Sequence, residues 1–196
     1  GGTGAGNFFR GQLDLNVINN FGEQVITIFP TATLNLSGFT AWNSGGPFNP
    51  GVDDVAYLMA LIDYICETHR IDESEIHIIG HSNGGMMGYR LLCEHPTRFK
   101  SIIAMAADVM VENPGTYTGK LMHIHGALDG NVPLAGGVGS GGVDYPVVYP
   151  TVAEFVLANN GTGVVMDTDF QILASAGHEI PSIQAAIILE QNTTLL

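Results

Sequence analysis

The apolar positions of this chain follow two spacings. Continuous runs at Val25 to Phe29, Ile76 to Ile79, Phe99 to Ala107 and Leu121 to His125 have the length of strands buried on both faces. Elsewhere apolar residues recur every three or four positions, as a helix requires. Val55, Leu58, Met59, Ile62 and Ile65 form one such stripe, on a helix that Asp53 or Asp54 can cap and that runs to about His69. Phe9, Leu13, Val17 and Ile18 mark a helix over Phe8 to Asn20, stopped by Gly22. Further helices are predicted from Met86 to Glu94, ended by His95-Pro96, over Thr151 to Asn160, and over Pro181 to Gln191. Gly163 to Ser175 reads as one or two terminal strands. Strand and helix alternate with crossovers long enough for parallel pairing, which predicts a three-layer α/β fold with a mostly parallel central sheet.

Two stretches break this rhythm. Thr31 to Gly51 is a loop rich in Thr, Asn, Ser and Gly that carries two exposed aromatics, Phe39 and Trp42. A loop of about twenty residues in a compact domain calls for a functional reason. Asn131 to Pro150, rich in Gly and Val, shows no periodicity.

Composition narrows the functions available. The chain of 196 residues, 45% of them hydrophobic, can build one domain with a sizeable core. Six Lys and Arg against 19 Asp and Glu give a net charge of -13, and such a surface repels nucleic acid phosphates and anionic membranes. No apolar run reaches the roughly eighteen residues of a membrane span. The two cysteines, Cys66 and Cys93, fall in predicted helices and read as free thiols. There is no G-x-G-x-x-G after a first strand and no phosphate loop with Lys, so the sequence supports no nucleotide cofactor.

The chemistry centres on Gly80-His81-Ser82-Asn83-Gly84, between the run at Ile76 and the helix that follows. Strand, sharp turn and helix form the context that a G-x-S-x-G nucleophile elbow requires, and Gly allows the close approach of helix to strand. A serine hydroxyl needs an imidazole to take its proton and an acid to fix the imidazole tautomer. Downstream, Asp129 follows the strand Leu121 to His125, and His178 follows the last apolar strand. Ser82, Asp129 and His178 thus lie in the order Ser, acid, His at one edge of the sheet. Asp108, after the strand ending at Ala107, competes with Asp129 for the role of acid. The backbone N–H of Asn83 is one oxyanion donor. Gly2, with Gly1 or Thr3 as alternatives, is the second if a strand precedes it. Trp42, His81 and His125 are candidates for lining a substrate site. Each has a plainer reading: Trp42 pins its loop to the core, His81 turns into neighbouring structure, and His123 and His125, on one strand face, are satisfied core histidines. As a metal pair, His123 and His125 lack further ligands at suitable spacing.

Gly80-His81-Ser82-Asn83-Gly84-Gly85-Met86-Met87, with Tyr89-Arg90-Leu91 behind it, resembles the elbow of the polyhydroxybutyrate depolymerase and feruloyl esterase group of α/β-hydrolases. Trp42-Asn43-Ser44-Gly45-Gly46, Val52-Asp53-Asp54-Val55, and His123-Ile124-His125-Gly126 with Asp129 and Val132-Pro133 extend the resemblance from about residue 8 to residue 181. It implies a serine esterase acting on polyester or feruloyl-type esters, small or polymeric, with Ser82, Asp129 and His178 as triad and no metal or organic cofactor. It also implies a single domain over residues 1–196 that lacks N-terminal strands and a His-Gly turn, completed by an upstream segment or a second chain, and a secreted protein. The chain departs from the group at Pro47 and Phe48, where cysteines are frequent, and at Glu179-Ile180-Pro181-Ser182, where a Trp-Pro-Gly segment is usual. The same three side chains serve peptide hydrolysis, and a noncatalytic binding protein of this fold is the remaining alternative.

Overall fold

The computed structural model describes residues 25–112, 117, 119–159, 168–173 and 177–178. The predicted helices Phe8 to Asn20 and Pro181 to Gln191, and the oxyanion candidate Gly2, lie outside these residues. The first element is α1, Asp54–Thr68, whose N-cap Asp53 accepts the Ala56 N–H at 3.0 Å. Strand β1, His77–His81, leads through Ser82 into α2, Asn83–Glu94. Then follow β2, Ser101–Met105, and β3, Lys120–Gly126. A two-stranded antiparallel ladder, β4 at Gly137–Val138 and β5 at Asp144–Tyr145, precedes α3, Val148–Asn159, and β6, Thr168–Leu173.

The sheet has the order β1-β2-β3-β6, and every pairing is parallel. All four strands therefore end on one edge, where loops can bring residues distant in sequence together. Burial grows inward from β1: Ile103, Ala104, Ile124 and both histidines of β3 are buried, whereas His77 is exposed. Helix α2 lies across β1 and β2 closely enough that a Cβ on Gly88 would press on Ile102 and Ile78. On its other contacts, Tyr89 of α2 meets Phe155 of α3 edge-on at 5.1 Å, and both are fully buried.

Three expectations are corrected. Residues 25–33 form no ladder, and Val25, Ile26 and Ile28 are 51%, 45% and 38% exposed. An apolar run becomes a buried strand only where a neighbouring strand pairs with it, and none among the described residues does. Asn131 to Pro150 is more ordered than its composition suggests, because a two-residue ladder leaves no hydrophobic period to read. Helix α3 starts at Val148 rather than after Pro150. A proline fits the first helical turn, where its missing N–H has no partner to lose. Cys66 and Cys93 are half-buried and are not joined in a disulfide. No helix among the described residues is long and apolar enough to cross a membrane.

Candidate active site

The turn from β1 to α2 holds one of the two residues other than Gly that have positive φ among the described residues. Ser82 has φ 54 and ψ -128, a region that side chains other than Gly rarely adopt. Its N–H donates to Met105 O at 2.8 Å, which extends the β1–β2 ladder one step beyond β1. Ala106, at φ 48, repeats the arrangement one strand over, its N–H donating to Ile124 O at 2.9 Å. Two strained residues are thus held by the sheet itself. A Cβ on Gly80 would overlap the backbone of Gly84 and Gly85, and one on Gly85 would overlap Ala107. These glycines let α2 start directly above β1. Asn83 is the first residue of α2, so its N–H has no partner within the helix and lies at the positive end of the helix dipole.

The loops after β3 and β6 bring two more residues to this edge. Asp129 is buried, and its Oδ1 accepts the N–H of Asn131 at 2.8 Å and of Val132 at 2.9 Å. His178 Nδ1 lies 2.9 Å from Asp129 Oδ2 and 3.1 Å from Oδ1. Burial by itself would raise the Asp129 pKa. The hydrogen bond to His178, the Val132 and Asn131 N–H groups and the His178 charge outweigh it, and the carboxyl is held below its ordinary value. His81, the residue before Ser82, ties the two halves together. Its ring lies 4.8 Å from that of His178, and its Nε2 donates to His178 O at 2.9 Å. Among the described residues no hydrogen bond joins the Ser82 hydroxyl to His178; such contacts commonly tighten only when substrate binds.

The loop 31–51 is held by asparagines rather than by an apolar stripe. Asn83 Oδ1 accepts the Trp42 N–H at 2.7 Å, and Asn83 Nδ2 donates to Trp42 O and Ser44 Oγ, both at 3.0 Å. The Asn43 N–H donates to Asp54 Oδ2 at 2.6 Å, and Arg90 Nη1 donates to Asn43 O at 2.6 Å. Trp42 is therefore not exposed: it is 8% accessible, belongs to the core and stacks on Tyr57 at 6.4 Å. Its role is to pin the loop, because the Asn83 amide satisfies both of its backbone groups beneath the surface. Phe39, by contrast, is exposed.

The profile of the prolyl oligopeptidase family matches residues 32–118. The chain is 32% identical over 138 residues to the "Probable feruloyl esterase C" of Aspergillus clavatus, covering 67% of this chain and 49% of that protein. It is 26% identical over 160 residues to feruloyl esterase C of Emericella nidulans, covering 78% of this chain and 53% of that one. The chain is related to the esterases of the α/β-hydrolase superfamily. It spans about half the length of these two relatives. The α/β-hydrolase fold is shared with SOBER1 of Arabidopsis thaliana, TM-score 0.63 at 14% identity over 97% of this chain and 92% of that one. A carboxylesterase from Mesorhizobium loti superposes with TM-score 0.62 at 14% identity, over 91% and 80% of the two chains.

Two features of the fold decide between readings that the sequence offered. His125 does not line a substrate site, because it is wholly buried and has no surface to offer. It stacks on His123 with centroids 5.3 Å apart and planes 8° apart, and Tyr89 reaches His123 from α2. The alternation His123, Ile124, His125 places both rings on one face of β3, but only packing could supply Tyr89. No group of three or more metal-ligating side chains occurs among the described residues.

Asp108 is the second feature. It does not meet His178. It is fully buried after β2, its Oδ1 accepts the Val109 N–H at 2.8 Å, and its Oδ2 has no hydrogen-bond partner among the described residues. Burial pushes its pKa up to about 7, against the smaller lowering effect of the Val109 N–H. In the unfolded chain an aspartate ionises near pH 4, so between about pH 4 and 7 the native state retains a proton that the unfolded state has lost. Stability contributed by Asp108 therefore falls as pH rises through that window. Asp108→Asn, which cannot ionise, is expected to stabilise the fold at pH 7 by about 1–3 kcal/mol and to give no advantage below about pH 4. Urea unfolding at both pH values checks this; an advantage that does not shrink in acid would contradict it.

Proposed function

We propose that this α/β-hydrolase is a serine esterase that cleaves carboxylic esters through an acyl-enzyme. The observation that carries the reading is a serine at φ 54 on a strand-to-helix turn, whose neighbour His81 packs on a histidine held at 2.9 Å by a buried aspartate. In this reading Ser82 Oγ attacks the ester carbonyl and His178 Nε2 takes its proton. His178 Nδ1 donates to Asp129, which leaves Nε2 free to accept. The tetrahedral oxyanion draws on the Asn83 N–H at the start of α2. His178 then protonates the leaving alcohol, and a water that passes its proton to His178 releases the acid from Ser82. Asp129 remains ionised and fixes the tautomer.

Similarity to the two feruloyl esterases supports aromatic, feruloyl-type esters as the substrate class. The prolyl oligopeptidase match supports a second reading, cleavage of peptide bonds by the same residues. The test is a panel of p-nitrophenyl esters, methyl ferulate, a short hydroxyalkanoate oligomer and a blocked peptide anilide, run with fluorophosphonate labelling. Turnover of esters with label on Ser82 is expected. Anilide cleavage without ester cleavage would favour the peptidase, and neither turnover nor label would leave a noncatalytic binding protein.

A further inference from the structure

Behind the aspartate lies a row of neutral groups that the proposed chemistry does not use. His125 Nε2 is 2.9 Å from Val132 O, His123 Nε2 is 3.1 Å from His125 Nδ1, and Tyr89 Oη is 2.8 Å from His123 Nδ1. All three side chains are fully buried.

The direction of this row is fixed by its last member. A carbonyl oxygen only accepts, so His125 Nε2 carries the hydrogen. In a neutral ring Nδ1 is then an acceptor. Facing it, His123 Nε2 must donate, which leaves His123 Nδ1 as an acceptor, and the Tyr89 hydroxyl must donate to it. One carbonyl thus sets two tautomers and one hydroxyl rotor. Reversing any member would set two donors or two acceptors against each other in the core, where each unmade bond is costly.

The row ends on the turn that carries Asp129. Val132 accepts from His125 through its carbonyl and donates through its N–H to Asp129 Oδ1, while His125 Nε2 lies 3.5 Å from Asp129 Oδ2. The turn is therefore clamped from both sides. We infer that His125 is a positioning residue that holds the turn from Asp129 to Val132, so that the Asp129 carboxylate meets His178, and that Tyr89 closes the row by satisfying His123 Nδ1 from across the core. This rests on the esterase reading only for the reaction being positioned. The row itself is independent of it.

The charges nearby agree with neutral rings. Burial first, and then His125, push the His123 pKa down to about 3. Burial lowers His125 against the pull of the Val132 carbonyl and Asp129, and the His178 charge lowers it further. Burial and Asp108 raise Tyr89 well above its ordinary value.

The test reads the imidazoles directly. In the ¹⁵N-labelled full chain, long-range ¹H–¹⁵N correlation is expected to show His123 and His125 as single Nε2–H tautomers that do not titrate between about pH 5.5 and 8.5, where an ordinary histidine does. Titration of either ring, or an Nδ1–H form, would overturn the row. Tyr89→Phe keeps the packing and removes the donor. Because the Val132 carbonyl still sets the row, both histidines are expected to keep the Nε2–H form in this variant and kcat to stay within about threefold. His125→Gln, whose amide can still donate to Val132 O, should retain kcat within about threefold, whereas His125→Leu should lose about tenfold or more at a temperature where both are folded. Equal kcat for His125→Leu and wild type would show that the row stabilises without positioning. If the wild type turned over no ester, the esterase reading would fail, and the spectra would still decide the row.

Discussion

Ser82→Ala is expected to remove ester hydrolysis, lowering kcat by on the order of 10⁴- to 10⁶-fold, while the chain stays folded. The loss follows from covalent catalysis, because in this mechanism the acyl group is carried on the Ser82 oxygen. The fold survives because the Ser82 backbone is held by the ladder bond to Met105 and by α2, whose Gly85 and Met86 N–H groups donate to Ser82 O at 2.9 and 3.0 Å. Ser82→Gly separates the two consequences. It should be equally inactive, yet more stable by about 1 kcal/mol, since glycine adopts φ 54 without strain. Turnover of p-nitrophenyl acetate and urea unfolding of the three proteins measure both effects. Hydrolysis by Ser82→Ala at the wild-type rate would remove Ser82 from the mechanism.

Asp129→Asn should be nearly as severe. Oδ1 accepts two backbone N–H groups, and the carboxylate also accepts from His178 Nδ1. An amide has one oxygen for these donors, and its NH₂ must face one of them. Either the turn from Asp129 to Val132 opens or His178 is left in the wrong tautomer. Activity is expected to fall on the order of 10³- to 10⁴-fold. Stability should fall as well, in a pH-dependent way. The Asp129 carboxyl lies below its ordinary value in the fold, so its contribution is present above about pH 4 and disappears as pH drops through the lower native value. Wild type and Asp129→Asn should differ in Tm at pH 7 and converge in strong acid. A constant difference from pH 7 to about pH 3 would mean that the ionised carboxylate is not what stabilises the turn.

Much of the frame was legible because it depends on local periodicity. The stripe from Val55 to Ile65 predicted α1 to within a residue or two, and the runs at Ile76, Phe99 and Leu121 predicted β1, β2 and β3. Where the pattern was local but the partner was not, reading stopped. Val25 to Phe29 has the composition of a buried strand, yet Val25, Ile26 and Ile28 are exposed, because no strand among the described residues pairs with it. Trp42 looked like surface in a polar loop, and it is core because Asn83, 41 residues away, takes up both its N–H and its carbonyl.

The site divides in the same way. Sequence alone placed Ser82, Asp108, Asp129 and His178 each just after a strand, and parallel pairing then brings such positions to one edge. It favoured Asp129 over Asp108 as the partner of the histidine, from position alone. The choice was settled by burial and hydrogen bonding: Asp129 has two backbone N–H groups and His178, while Asp108 has one backbone N–H and an oxygen without a partner among the described residues. The tautomers of His123 and His125 belong wholly to the tertiary structure, since they are dictated by a carbonyl seven residues from His125 and passed to His123 by the contact between the two rings. The sequence by itself determined the elements and the order of reactive side chains, because these rest on period and on backbone sterics. Only the tertiary structure decided which donor meets which acceptor, because a hydrogen bond is fixed by distances between segments that no local pattern encodes.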